Sequence, residues 1–249
     1  MFRLITRLDV KPPHLVKGIQ LEGVRKLGKP VDFAEKYYRD GADELFYQDV
    51  VASLYGRNSI KDLIKETSQN VFIPITVGGG VRSIHDMHEL LRYGADKVSI
   101  NTVAINNSNI IKEAVRVFGS QCIVVAIEIM RSGISSWEPL TMSGRQHSRL
   151  DALDWAKQVV DLGAGELFIT SIENEGTKKG FNFDFVDQLV DKVNVPVVLH
   201  GGAGNPNEVV EAAKRGLSGV AIASILHYGL FTIEKIKKEL KSAGIKIRL

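Results

Sequence analysis

Two carboxylates and two glycine pairs are the residues of this chain best placed to do chemistry. Asp9 closes one short apolar, β-branched run and Glu128 closes another. Opposed carboxyls can divide general-acid and general-base work when their surroundings separate their pKa values. Lys11 and Lys17 follow Asp9 and can pair with such acids. Gly79 and Gly80 follow a third apolar run, and Asn101 and Thr102 follow a fourth. Gly201 and Gly202, then Ala223 and Ser224, repeat that arrangement later in the chain. Bare glycine lets backbone N–H groups approach an anion, and a following helix N-terminus adds a favourable dipole. A single Gly-Gly is usually only a turn. Two of them at corresponding places point to a ligand with a phosphate at each end.

The elements that must carry these residues come in a repeat. Gly41-Ala42-Asp43-Glu44-Leu45-Phe46 resembles Gly163-Ala164-Gly165-Glu166-Leu167-Phe168. Pro74 to Gly80 resembles Pro196 to Gly202, and Gly94 to Ile100 resembles Gly216 to Ile222. Positions 41 and 163, 74 and 196, and 94 and 216 are each 122 apart. Each half reads as four βα units, with strands near 4–9, 44–50, 72–77, 97–101, 122–128, 166–171, 195–199 and 219–223. Gly41, Gly94, Gly163 and Gly216 fall where helices should end, and Asn205-Pro206 reads as a helix start. Eight alternating strands and helices predict one (β/α)8 TIM barrel over 1–249, with half-barrels near 1–120 and 121–249. A doubly wound sheet is the runner-up. Two stretches, 11–31 and 131–149, read as long loops after the first strand of each half, a place for lids.

In such a barrel the chemistry sits at the C-terminal strand ends, where Asp9, Glu128 and both glycine sets fall. Arg3, Glu44, Lys97 and Glu166 start strands 1, 2, 4 and 6. If they point inward, two cations and two anions ring the bottom and must pair. That ring is either a stabilising plug or a polar gate for a small molecule.

Several function classes are excluded. The chain has 249 residues, with 32 Lys plus Arg against 29 Asp plus Glu, too small an excess for a nucleic-acid footprint. The one cysteine, Cys122, gives neither an intrachain disulfide nor a cysteine-rich zinc site, and it fits a reducing, cytoplasmic setting. No apolar run suits a signal peptide or a membrane span. His85 and His88 share a helix face, but no nearby acid completes a metal site; Ser143 and His147 lack a triad setting, and no dinucleotide or Walker fingerprint is present. No metal or cofactor is expected.

The strings Leu8-Asp9-Val10-Lys11, Val16-Lys17-Gly18, Thr76 to Gly80, Ala95 to Thr102, Gly176-Thr177-Lys178 and Gly201 to Gly204 carry a resemblance. Across essentially the whole chain they resemble the cyclase subunit of imidazole glycerol phosphate synthase, the HisF family. The resemblance implies a HisH-type glutaminase partner on the N-terminal face. Ammonia passes from it through the barrel to a bisphosphorylated ribulosyl aminoimidazole carboxamide nucleotide. It implies acid/base roles for Asp9 and the acid ending strand 5, and places Lys17 at the substrate. Gly176 joins the second phosphate set. Arg3, Glu44, Lys97 and Glu166 match the charged gate, and Asp96 matches a docking-face acid.

The departures cluster at the mouth. Glu128 stands where the family has aspartate, His200 where it has a small serine, and Glu173 and Glu175 where it favours aspartates. A carboxyl displaced by about 1 Å can cost on the order of 10²-fold in rate. An intact gate beneath a remodelled mouth resembles the paralogues of surface-polysaccharide (lipopolysaccharide) pathways, which supply ammonia to a separate sugar amidotransferase. The alternatives are a genuine histidine-biosynthesis cyclase and a non-catalytic scaffold that activates the glutaminase.

Overall fold

The structure, a computed structural model, describes residues 1–52 and 60–248. Eight parallel strands close on themselves. They are β1 (Arg3–Lys11), β2 (Glu44–Asp49), β3 (Ile75–Gly78), β4 (Lys97–Ile100), β5 (Ile123–Gly133), β6 (Glu166–Ser171), β7 (Val197–His200) and β8 (Gly219–Ile222). Each pairs with the next in parallel, and β8 returns to β1 through Arg3↔Gly219 and Thr6↔Ile222. This is a (β/α)8 barrel, not a doubly wound sheet. β3 and β7 start later than their apolar runs because Pro74 and Pro196 lack the N–H a ladder needs.

Helices α1 (Pro30–Arg39), α2 (Lys61–Asn70), α3 (Ile84–Arg92), α4 (Asn109–Phe118), α5 (Ala152–Asp161), α6 (Phe183–Leu189), α7 (Pro206–Lys214) and α8 (Ile233–Ser242) surround the barrel. Their starts follow local chemistry. Ser83 and Asp86 form a reciprocal capping box on α3, Asp151 caps α5, and Asn205 caps α7 ahead of Pro206. Gly41, Gly94, Gly163 and Gly216 all have φ between +82° and +111°, where a Cβ is strained.

The two stretches expected to be long loops are not loops, and that expectation is corrected. Both are antiparallel β extensions. Residues 11–31 fold back as His14–Ile19 and Glu22–Gly28, with the tight turn at Gln20 and Leu21 in the left-handed region. β5 runs on to Gly133 and pairs with Ser136–Thr141, which pairs with Gln146–His147. Alternating apolar positions there serve hairpin packing: Trp137 is buried edge-on against Phe185.

Alternation along the strands divides the core in two. Outward residues pack under the helices, while Ile5, Phe46, Val124, Ala126, Phe168, Val198 and Ala221 fill the barrel itself. Phe46 and Phe168, related by the repeat spacing, stack across the axis with ring centroids 4.1 Å apart. The lumen is therefore filled at this level rather than hollow.

Candidate functional site

The mouth forms where inward side chains reach the C-terminal strand ends. On β1, Arg7 and Asp9 share the inward face because they are two residues apart. Arg7 Nε donates to Asp9 Oδ1 at 2.8 Å, and Lys17 Nζ lies 3.5 Å from Asp9 Oδ2. Lys17 sits on the first hairpin strand, not in a free loop, and is 2 % exposed. Its ammonium also pairs with Glu175. Glu175 accepts from Leu21 N at 3.1 Å and its carbonyl from Gln20 N at 2.8 Å, so it holds the strained hairpin turn as well.

Burial and charge separate the two candidate carboxyls. Burial alone would raise Asp9, but Arg7, then Lys17, hold it well below the usual carboxylate range. Glu128 ends up at about 7. Burial pushes it up and Asp9 adds to this, while Arg7, the Gly144 N–H and Asn101 only partly offset it. Asn101 Nδ2 donates to Glu128 Oε2 at 3.2 Å and to Leu140 O at 3.0 Å. His200 is held neutral by burial and then by the neighbouring Arg7. Its Nδ1 meets Ala221 O at 3.0 Å, and its buried Nε2 has no partner.

The two glycine sets line two separate recesses. Gly79, Gly80, Asn101 and Thr102 line a small cleft together with Glu128, Gln48 and Ser143. Gly176, Gly201, Gly202, Ala223 and Ser224 line a narrower one with Lys17, Lys178 and His200. The glycines are required. A Cβ at Gly79 would strike Asp49 O, and one at Gly202 would strike Gly180 O. The Asn101 amide and the Thr102 hydroxyl (accepting from Met142 N at 3.0 Å) brace the second hairpin.

At the opposite end the four charged residues do turn inward and form a closed ring. Arg3 Nη1 donates to Glu44 at 2.7 Å and Glu166 at 2.9 Å, and Lys97 Nζ to the same two carboxylates at 3.1 and 3.2 Å. Burial would lower the Arg3 pKa, but Glu166 and Glu44 more than offset it. Arg3 Nη2 is buried without a partner. Asp96 lies exposed beside this ring, and its carboxylate accepts from Ile75 N at 2.8 Å.

Arg7, Lys178, Gln48 and Ser143 also belong to this mouth, and sequence patterning alone does not single them out for it. Strand alternation from Asp9 could have found Arg7; the others come from loops and neighbouring strands. His147 instead pairs with Glu138 on the second hairpin, at 2.9 Å and away from any triad. Among the described residues no group of three or more His, Cys, Asp or Glu is placed to hold a metal ion. No described helix is long and apolar enough to cross a membrane.

Comparison with known proteins places this architecture. The model of a family described as "Histidine biosynthesis protein" matches residues 3–232. An imidazole glycerol phosphate synthase subunit HisF of Legionella pneumophila is 52% identical over 206 residues, covering 83% of this chain and 97% of that protein. The HisF of Bacillus cereus (strain G9842) is 42% identical over 248 residues, 99% of this chain and 98% of its own length. That of Thermococcus onnurineus (strain NA1) is 40% identical over 247 residues, again 99% and 98%.

Proposed function

The chain belongs to the histidine biosynthesis family as a HisF-type synthase subunit, and on that premise we propose that it takes ammonia from a HisH-type glutaminase. The glutaminase docks on the N-terminal face around Asp96. Ammonia enters past Arg3, Glu44, Lys97 and Glu166 and reaches the mouth as the Phe46 and Phe168 rings that fill the barrel shift aside. The two glycine recesses bind a phosphorylated small molecule there, within reach of Asp9, Glu128 and Lys17. The acceptor differs from the nucleotide implied by the family resemblance: the nitrogen serves sugar amidination in surface-polysaccharide synthesis, through a separate sugar amidotransferase, in the cytoplasm.

One contrast supports this choice. The ring at the bottom keeps all four charges in mutual contact, while at the top Asp9 is held between two cations and Glu128 and His200 replace smaller residues. Ammonium salts and the bisphosphorylated ribulosyl nucleotide provide the test with purified protein. Little cyclase turnover is expected; robust turnover refutes the altered acceptor.

A second reading, a genuine cyclase of histidine biosynthesis, is favoured by Glu128 at about 7, a value suited to proton exchange at neutral pH. Complementation of a cyclase-deficient histidine auxotroph separates the two, growth favouring the second. Unchanged activity of the full complex after substitution of both Asp9 and Glu128 favours the scaffold alternative over both.

A further inference from the structure

We propose that Arg7 is a positioning residue that fixes Asp9 as a permanent carboxylate and leaves Glu128 as the proton carrier of the mouth. The proposal deepens the ammonia-supply reading above for any carbonyl acceptor bound at the mouth, and rests on that reading for the identity of the incoming nitrogen.

The geometry that carries it is local to the floor of the mouth. Arg7 is 3 % exposed and lies one inward position below Asp9. Its Nε holds Oδ1 at 2.8 Å while Nη1 reaches Thr170 Oγ1 at 3.3 Å. The guanidinium carbon sits 5.8 Å from the Phe46 ring centroid and 5.9 Å from that of Phe168. The stacked rings therefore prop it from beneath, a favourable place for a cation. Ala126 stands opposite Phe168 on β5, and its small side chain leaves the guanidinium room. Lys17 reaches the second oxygen of Asp9 from the hairpin at 3.5 Å. Neutral His200 faces the pair from β7, and Glu175 approaches from beyond β6, itself paired with Lys17. A proton placed on Asp9 would strip two buried cations of a shared counter-charge, which the low-dielectric interior opposes.

Glu128 stands in the opposite situation. Its hydrogen-bond partner is the neutral amide of Asn101, and the Gly144 N–H lies near enough to favour its charged form only weakly. Arg7 acts on it only from a distance, and Asp9 opposes a second charge nearby. Either protonation state is therefore tolerated there. When ammonia adds to a carbonyl carbon, the C–N bond forms, the C=O π pair moves to oxygen and the nitrogen becomes cationic. The Glu128 carboxylate takes one proton from that nitrogen and, as the acid, returns it to the oxygen. The products are a neutral carbinolamine and the original carboxylate. Asp9 stays anionic throughout and stabilises the transient cation.

Carboxyl-13C labelling of Asp and Glu in the full chain, followed by NMR from pH 3 to 9, tests this. Asp9→Asn and Glu128→Gln supply the assignments. In the unsubstituted chain Asp9 should show no titration step in this range and Glu128 a midpoint near 7. Arg7→Met should bring an Asp9 step into the range, and Arg7→Lys should remove it again, a rescue that loss of packing alone does not predict. Arg7→Gln, which keeps an N–H donor, replaces Arg7→Met if that variant does not fold. An Asp9 step in the unsubstituted chain, an Asp9 still silent without the Arg7 charge, or a Glu128 midpoint near that of ordinary glutamate overturns the proposal. The titration needs neither glutaminase nor acceptor. A failed ammonia-delivery assay therefore leaves its result standing, and the reverse also holds.

Discussion

Replacing Glu128 with glutamine should stabilise the protein, and the gain should depend on pH. The carboxyl is 6 % exposed and its pKa rises from 4.5 to about 7 on folding. Between those values the folded chain keeps a proton that the unfolded chain has released. Stability must therefore fall as pH rises through this window. A tenfold change in proton affinity is worth about 1.4 kcal/mol, so the rise from 4.5 to about 7 amounts to about 3 kcal/mol. Below pH 4.5 both states hold the proton and the penalty vanishes. Glu128→Gln keeps the size and hydrogen-bonding capacity of the side chain but cannot ionise. The difference in stability between variant and parent should thus grow by about 3 kcal/mol between about pH 4 and about pH 8. For a chain of this size that is a change of about 6–12 °C in the Tm difference. Thermal unfolding of both proteins at the two pH values measures it. Because the comparison is a difference of differences, any pH-independent cost of the substitution cancels. An equal Tm difference at both pH values would show that Glu128 is not a desolvated carboxyl, and the reasoning about the mouth would fall with it.

Three further outcomes follow from the same geometry. Gly202→Ala places a methyl against Gly180 O at φ +109°, so phosphate binding measured by calorimetry should weaken at least about tenfold (about 1.4 kcal/mol); unchanged affinity would remove the second recess from the site. Glu166→Gln leaves Arg3 and Lys97 with one shared carboxylate and should cost about 3 kcal/mol in denaturant unfolding, the lower end for breaking a buried pair. Phe168→Ala should cost about 3–5 kcal/mol, and a double-mutant cycle with Phe46→Ala should return a coupling of about 0.5–1.5 kcal/mol for the stack. In a complex with the glutaminase, the same variant should raise glutamine-supported product relative to ammonium-supported product. An unchanged ratio would mean the rings do not limit passage.

Much of the fold is legible in the sequence because it rests on local, periodic signals. The repeat spacing, the β-branched runs and the helix-terminating glycines each report short-range backbone physics. Together they specify eight parallel strands and a closed barrel. The ends of β3 and β7 shift because a proline cannot join the ladder. The hairpins at 14–28 and 123–147 look like loops in the sequence because their pairing partners are each other, and the first turns at Gln20 and Leu21, both at positive φ, instead of the usual glycine or asparagine pair.

The candidate site divides in the same way. Asp9, Glu128, both glycine sets and the four ring residues lie at strand ends, and position along a strand is a sequence property. The residue types alone therefore determined where charge and bare backbone would gather. What the sequence left open is how those charges are shared. Arg7 sits in an ordinary apolar run, and only closure of the barrel brings it against Asp9, Thr170 and two phenyl rings from strands far apart in the chain. Two carboxyls that look alike in one dimension become unlike in three, one held between cations and the other shut away from water. Protonation depends on distance and desolvation, and both arise only when remote segments meet.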